Sequence, residues 1–226
     1  MPEFLNSLIV SIIFTLSSTV LSFIVGLGLA ITMNEEFKGR NFIRTLIVLP
    51  FAIPSIIAGF SWKFILSSEV GVIGAYILPL LGFNVAPLAD PNLALVSVII
   101  ADIWAKTPLM FLILLSGLQS IPVTIYDAVK VDGASTWQTF TNITLPMLRP
   151  IAFIAILIRI IDAFNTFDVI FAATKGGPGT ATQTLPLLGW KIGFIYYNIG
   201  EAAALAVLMI LFIITLSNIL IRYTIR

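Results

Sequence analysis

Apolar residues dominate five long stretches of the chain, at 4–33, 43–66, 92–118, 147–172 and 200–222, while polar residues gather in the connections between them. Each stretch meets or exceeds the ~20 residues a helix needs to cross ~30 Å of hydrocarbon, so the pattern predicts five transmembrane helices. The first stretch is too long for the apolar core of a secretory signal and lacks a basic start, so it reads as structure. Pro50 and Pro54 in the second stretch and Pro108 in the third remove backbone donors and predict bent helices. The connection "SSEVGVIGAYILPLLGFNVAPLADP" reads as a short interfacial helix followed by a turn region rich in Gly, Pro and Asn. The expected fold class is all-α, a polytopic transmembrane bundle forming one domain over 1–226, with no internal repeat.

One connection departs from the rest. Between the third and fourth stretches, "PVTIYDAVKVD" places Pro122 to start a short helix with Ile125, Ala128 and Val129 on one face. "ASTWQTF" predicts a second short helix before "LP" turns the chain back to the membrane. Gly133 divides the two, where a left-handed conformation or a close backbone approach favours glycine. The segment 121–146 is therefore a compact helical knob. Its apolar face fits either a socket on another protein or a bed of lipid headgroups.

Composition agrees with the pattern and removes several function classes. Hydrophobic residues make up 59% and charged residues 10%, against about a quarter charged in soluble domains, so the chain is an integral membrane protein. A net charge of +1 supplies no field for nucleic acid. The chain has no cysteine and no histidine, which excludes disulfides and removes the usual zinc and haem ligands.

Basic residues set the expected orientation. Lys38, Arg40, Arg44, Lys130, Arg149, Arg222 and Arg226 fall on one side of the five spans, against Lys63, Lys175 and Lys191 on the other. Seven against three places the first group in the cytoplasm, with the N-terminus outside and the C-terminus inside. Trp62, Trp190, Tyr196 and Tyr197 then belong near the outer interface, as part of an aromatic belt. Gly26 and Gly28 permit close helix packing.

Charges inside the spans mark a candidate site. Asp102 and Lys106 in the third stretch, and Arg159, Asp162 and Asp168 in the fourth, each cost at least ~2.5 kcal/mol at the bilayer centre, so they should face protein or water. Asp102, Lys106 and Leu109 share one stripe, and Arg159, Asp162 and Thr166 another. At 1.5 Å per residue both stripes reach the midplane together and predict a polar cavity. The charges either satisfy one another, Asp102 with Lys106 and Arg159 with Asp162, or they hydrogen-bond a polar solute. Asn165 and Trp104 are weaker candidates beside them.

"YDAVKVDGASTWQTFTNITLP" resembles the EAA motif of the membrane subunits of binding-protein-dependent ABC importers. Asp127, Ala128 and Val129 stand at its start, with Asp for Glu and Val for the second Ala; Asp132, Gly133 and Ala134 match its centre, and Leu145 and Pro146 its close. "RTLIVLPFAIPSIIAGFSWKFIL", "LLSGLQSIP" and "FNTFDVIFAATKGGPGTATQTL" are similar to the carbohydrate-uptake branch, and "TKGGP" to its MalF-like members. Members of this branch generally carry at least one helix before the five-helix core, whereas this chain begins almost at the core's first span.

The resemblance implies a type I importer permease core in the inner membrane, with a cytoplasmic coupling helix. It also implies a second, MalG-like permease subunit, a cytoplasmic ABC ATPase dimer and an extracytoplasmic solute-binding protein, all within a lipid bilayer and with no nucleic acid. Coupling falls to Tyr126, Asp127, Ala128, Asp132, Gly133, Ala134, Leu145 and Pro146. Solute contact falls to Asp102, Lys106, Arg159, Asp162, Asn165 and Thr166, the sugar-facing positions of the branch corresponding to Asp102, Ala105, Lys106, Leu109, Arg159, Ala163 and Thr166. Replacing Asp102 or Arg159 by Ala should then lower uptake without abolishing assembly. The chain itself is expected to be no enzyme and to bind no cofactor, since it has no GxxxxGK[ST] loop and "GGPGT" reads as a turn; ATP and Mg belong to the partner ATPase. A non-sugar ABC permease for a small anion such as a glycerol phosphate stays open through Lys106 and Arg159. An ion-coupled secondary transporter is disfavoured by the knob and the lack of inverted repeats.

Overall fold

The computed structural model describes residues 2–83 and 85–224, with side chains described as far as Arg222; Arg226, one of the seven basic residues counted above, lies outside the described residues. Among the described residues eleven α-helices follow in order: α1 Pro2–Asn34, α2 Arg40–Val48, α3 Ser55–Ile65, α4 Leu78–Leu80, α5 Pro91–Gln119, α6 Val123–Val131, α7 Thr136–Thr139, α8 Leu145–Phe164, α9 Asp168–Thr174, α10 Leu185–Trp190 and α11 Ile199–Thr224. Four unbroken helical runs are long and apolar enough to cross a membrane, Pro2–Asn34, Pro91–Gln119, Thr136–Phe164 and Ile199–Arg222. A bent pair supplies a fifth if it counts as one span.

That pair corresponds to the second apolar stretch. Arg40–Ala52 and Ser55–Ile65 meet at 98°, a break where the sequence predicts a bend. A residue before proline is driven to extended backbone, and Ile53 accordingly sits at φ −85°, ψ 126° ahead of Pro54. Pro50 is absorbed in the 3₁₀ turn Leu49–Ala52. By contrast α5 runs unbroken through Pro108. The connection between α3 and α5 folds as a π turn, Val72–Ile77, leading into α4, in line with the short helix expected there.

The bundle is organised around α1 and α5. Ser7, Ser11, Thr15, Ser18, Ser22, Gly26 and Ala30 recur every three or four residues, and all are buried, so α1 turns a stripe of small side chains inward. Small residues let helix backbones approach, which is the main source of packing energy where lipid is as apolar as the core. A Cβ at Gly26 would stand 2.8 Å from Met110 Cγ and 3.2 Å from the backbone nitrogen of Phe111, whereas one at Gly28 would meet nothing within 4 Å. Gly59 on α3 plays the corresponding part against α9, where a Cβ would come within 2.8 Å of the Val169 carbonyl.

Two apolar layers stack along this axis. One holds Ala30, Met110, Phe111, Leu114, Leu118, Leu148 and Ala155; the other holds Phe14, Val98, Ala101, Ala163, Val169 and Ile170. Asp102 and Lys106 of α5 and Arg159 and Asp162 of α8 lie between them. The window of α5 is 61% buried and that of α11 only 6%, so α11 presents nearly its whole surface to lipid or another chain.

Gly26→Leu should lower stability by about 1–3 kcal/mol by wedging α1 from α5, while Gly28→Leu should change it by less than about 0.5 kcal/mol. Thermal unfolding in detergent followed by tryptophan fluorescence checks this. Equal shifts in the two variants would contradict the packing described.

Candidate functional site: a mid-membrane charge network and a helical knob

Ser18 is the central residue of α1, which runs from Pro2 to Asn34, and it stands ~24 Å from either end of that helix. Asp102, near the middle of α5, is fully buried and accepts from the Ser18 hydroxyl through Oδ2. The same oxygen accepts from Nη2 of Arg159 on α8, which is itself 3% exposed. Arg159 reaches a second carboxylate through Nη1, 3.0 Å from Asp162 Oδ2, and Lys106 Nζ lies 3.4 Å from Asp162 Oδ1. Two cations and two anions thus form one chain, Asp102, Arg159, Asp162, Lys106. Both charged stripes do meet at mid-height.

The pairing differs in part from the sequence expectation. Arg159 does bind Asp162, but Asp102 pairs with Arg159 rather than with Lys106, its neighbour one turn away. The reason is the third helix: Ser18 draws the Asp102 carboxylate towards α1, and Lys106 lies on the open side of α5. Ser18 was not singled out from sequence, although the spacing of serines and threonines through α1 carries the signal.

The network has a dry half and an open half. Asp102, Ala105, Arg159 and Ala163 are buried, while Lys106 and Asp162 have side chains 20% and 37% exposed; these two, with Leu109, Ile113, Ile158 and the buried edge of Arg159, line a narrow cleft between α5 and α8. Oδ1 of Asp102 and Nε of Arg159 make no hydrogen bond. Next to the cleft the fourth span breaks. Residues 165–167 separate α8 from α9, where the sequence suggests one run through 172. Side chains turn back to the last carbonyls, Asn165 Nδ2 donating to Ile161 O at 2.8 Å and Thr166 Oγ1 to Asp162 O at 3.1 Å; both carbonyls also accept from the Asn165 amide. Asn165 is exposed and Thr166 half-buried, one turn beyond Asp162, where both cap the helix. Asp168 opens α9, where a carboxylate meets the positive end of the helix dipole. Trp104 turns instead to Trp62, edge to face at 6.1 Å.

The knob is built by local rules. α6 packs Ile125 and Tyr126 onto the bundle, Val129 is half-buried and Tyr126 Oη sits 3.2 Å from Thr144 Oγ1. Ala128, on the same apolar face in sequence, is exposed, and the stripe turned to the bundle runs through Ile121, Ile125 and Val129. Asp127 and Asp132 are exposed, and Asp127 pairs with Lys130 at 3.8 Å. Gly133 has φ +73° with nothing within 4 Å of a built Cβ, so its left-handed conformation, not a close approach within this chain, is what requires glycine. The Gly133 and Ala134 amides donate to the Lys130 and Val129 carbonyls at 3.1 and 3.3 Å, which closes the C-terminus of α6 as a Schellman motif. Two residues on, Ser135 and Gln138 form a capping box that starts α7.

Leu145 and Pro146 do not turn the chain. The helix passes from Thr136 to Phe164 without interruption, through the π turn Phe140–Thr144, whose wider spacing accommodates the donor missing at Pro146. Elsewhere "GGPGT" is the expected turn, with Gly176 and Gly179 at φ +91° and +59°. Trp190 packs against Phe167 and Phe171, and both it and Trp62 border an apolar layer, whereas Tyr196 and Tyr197 are exposed as expected.

The buried pair changes the expected outcome of mutation. Arg159→Ala leaves the Asp102 carboxylate without its cation, which costs about 3–5 kcal/mol, so assembly as well as uptake should suffer. Lys106→Ala removes only a half-exposed partner and should leave assembly intact. Recovery of each variant as a single species on size exclusion tests this; normal recovery of Arg159→Ala would mean that Asp102 finds another partner.

Residues 22–226 match the family of the binding-protein-dependent transport system inner membrane component. The chain is 40% identical over 217 residues to the trehalose/maltose transport system permease protein MalF of Thermococcus litoralis, covering 95% of this chain and 72% of that one. It is 34% identical over 222 residues to the sn-glycerol-3-phosphate transport system permease protein UgpA of Agrobacterium fabrum, covering 98% and 75%. Among solved structures, a bacterial ABC transporter involved in the import of the acidic polysaccharide alginate has the same fold, with a TM-score of 0.89 at 23% identity over 99% of this chain and 79% of the other. Curated relatives are longer, the chain spanning 64% to 76% of their length. The family match over residues 22–226 and the 40% identity over 95% of its length place this chain in the family of binding-protein-dependent transport system inner membrane components.

Proposed function

We propose that this chain is a permease subunit of an ATP-driven, binding-protein-dependent importer whose solute is a neutral, hydroxyl-rich sugar of the di- or oligosaccharide class. It forms half of the pathway, opposite a second, MalG-like permease. The ATPase dimer, which uses ATP and Mg, seats on the knob, and an extracytoplasmic binding protein delivers solute at the opposite face. The N-terminus lies outside and the C-terminus in the cytoplasm, in keeping with the basic residues gathered at the knob end.

The observation that carries the solute class is the closure of the charge network. Every cation at mid-height already faces a carboxylate, so no uncompensated positive charge is left for an anion. The open pair, Lys106 and Asp162, suits a hydroxyl, which accepts from the ammonium and donates to the carboxylate. Asn165 and Thr166 offer amide and hydroxyl groups beside it. The glycerol-phosphate reading rests on the UgpA relative and requires an anion to displace Asp162 from Lys106.

Liposomes holding this chain with its permease partner, ATPase and binding protein should take up radiolabelled trehalose or maltose only with ATP. Uptake of sn-glycerol 3-phosphate with no uptake of either sugar would reverse the solute assignment. Asp162→Asn weakens a charge-assisted bond worth about 1.5–3 kcal/mol and should cut sugar uptake at least about tenfold. Gly133→Val forces a β-branched residue to φ +73°, a strain of about 1–2 kcal/mol or more, and should uncouple solute-stimulated ATP hydrolysis from uptake. Wild-type coupling in that variant would show that the knob is not the ATPase seat. With orientation as proposed, Lys130→Cys reacts with an impermeant thiol reagent from the cytoplasmic side alone.

A further inference from the structure

We propose that Ser18 of α1 and Asp102 of α5 are positioning residues for solute binding, acting through Arg159 to hold the Asp162 carboxylate in the cleft. The inference rests on the reading of Asp162 and Lys106 as the solute-facing pair. Its basis is the uneven division of one guanidinium. Nη2 of Arg159 is held by Asp102 and Ser18 in the dry interior, and Nη1 projects to Asp162 Oδ2 at 3.0 Å. Arg159 borders the cleft but is only 3% exposed, and both its terminal nitrogens are already held; it presents a fixed donor edge to a carboxylate that opens onto the cleft.

The two contacts of Asp162 differ in kind. On the Arg159 side the donor is anchored on α1 and α5 and belongs to a planar fork with no freedom to rotate away. On the Lys106 side the contact is 3.4 Å, from a flexible amine that is 20% exposed. One oxygen of Asp162 is therefore fixed and the other exchangeable. A solute hydroxyl enters between Lys106 Nζ and Asp162 Oδ1, donating to the oxygen and accepting from the amine, while Oδ2 stays with Arg159. The site is preorganised by groups the solute never touches, which lowers the ordering cost of binding. Ser18 adds a constraint from a third helix, so the position of Asp162 also reports the seating of α1.

A purely structural role for the buried trio makes a different prediction, and two variants separate them. Ser18→Ala removes one hydroxyl and leaves the ion pair. Asp102→Leu with Arg159→Met replaces both buried charges by apolar groups of similar size, a change often tolerated because no charge is stranded. Complexes containing each variant, with permease partner, ATPase and binding protein, are trapped with ATP and vanadate, and retention of radiolabelled trehalose is titrated. The half-saturating concentration should rise about threefold to tenfold for Ser18→Ala and more for the double variant, with the amount bound at saturation unchanged for Ser18→Ala. A fall in the saturating amount of Ser18→Ala at unchanged half-saturation would overturn the proposal in favour of a structural role. So would wild-type retention by either variant. Asp162→Asn is the control for the underlying site: wild-type retention there removes the site reading itself, whereas loss there with normal Ser18→Ala and double variants sinks only the positioning role.

Discussion

A carboxylate buried to zero exposure at the middle of a membrane helix cannot exist without its cation, and the rest of this bundle is arranged around meeting that need. The bond between Asp102 and Arg159 joins α5 to α8, and Ser18 ties both to α1. Removing Arg159 alone strands the Asp102 carboxylate where its solvation is lost, whereas removing Asp102 leaves Arg159 with Asp162 alone. The pair therefore acts on register more than on net stability: a one-residue slip of any of the three helices would rotate its group out of reach. Close approach of α1 is the precondition, and the serines, threonines and glycine of its inner stripe provide it. A larger residue at Gly26 or Ser22 would hold α1 too far from α5 for a serine hydroxyl to reach Asp102.

Backbone satisfaction is the second constraint, and it decides where the spans can break. With no water in hydrocarbon, each lost helical bond must be recovered by a nearby group. Pro54 breaks the second span after an extended Ile53, and the 3₁₀ turn ahead of it keeps the amide of Ile53 bonded to the Pro50 carbonyl at 3.2 Å. The fourth span breaks at 165–167, where Asn165 and Thr166 turn their side chains back to carbonyls of the last turn of α8. At Pro146 the helix widens into a π turn and continues. The same logic shapes the cleft: the break beside Asp162 interrupts the apolar surface of the span at the one level where charged side chains wait.

Much of this was legible in the sequence because hydrophobicity and special backbone positions are local. The spans, the divided knob, the left-handed Gly133 and the mid-height meeting of Asp102 with Arg159 and Asp162 all follow from spacing. The partner of Asp102 does not. Lys106 is its nearest sequence neighbour of opposite charge, and only the approach of α1 and α8 shows that the carboxylate faces away from it. Pro146 misleads for a related reason: proline predicts a stop from its own missing donor, yet a five-residue π turn upstream removes the conflict. The break at 165–167 has no glycine or proline to announce it. Of the candidate solute groups, sequence could place all six near one level but could not tell the buried Asp102 and Arg159 from Lys106 and Asp162 at the cleft or Asn165 and Thr166 one turn beyond.

One continuous element links the two regions on which the proposed function depends. From the capping box at Ser135 the helix runs unbroken to Phe164, so the knob, Arg159 and Asp162 are parts of a single rod, with ~35 Å between Thr136 and Arg159. A rod transmits displacement only if its ends are fixed to what they move. At the knob, the Schellman motif and the capping box remove slack between α6 and α7. At mid-height, Arg159 is fixed to α5 and α1 by charge. The π turn at Phe140–Thr144 and the two prolines after it, Pro146 and Pro150, are the irregular part of this rod, since neither proline has an amide to donate. On the proposed coupling, force arriving at the knob reaches Asp162 only through that stretch, and its stiffness against the Asp102 bond determines whether α8 tilts as a unit or bends on the knob side of the site.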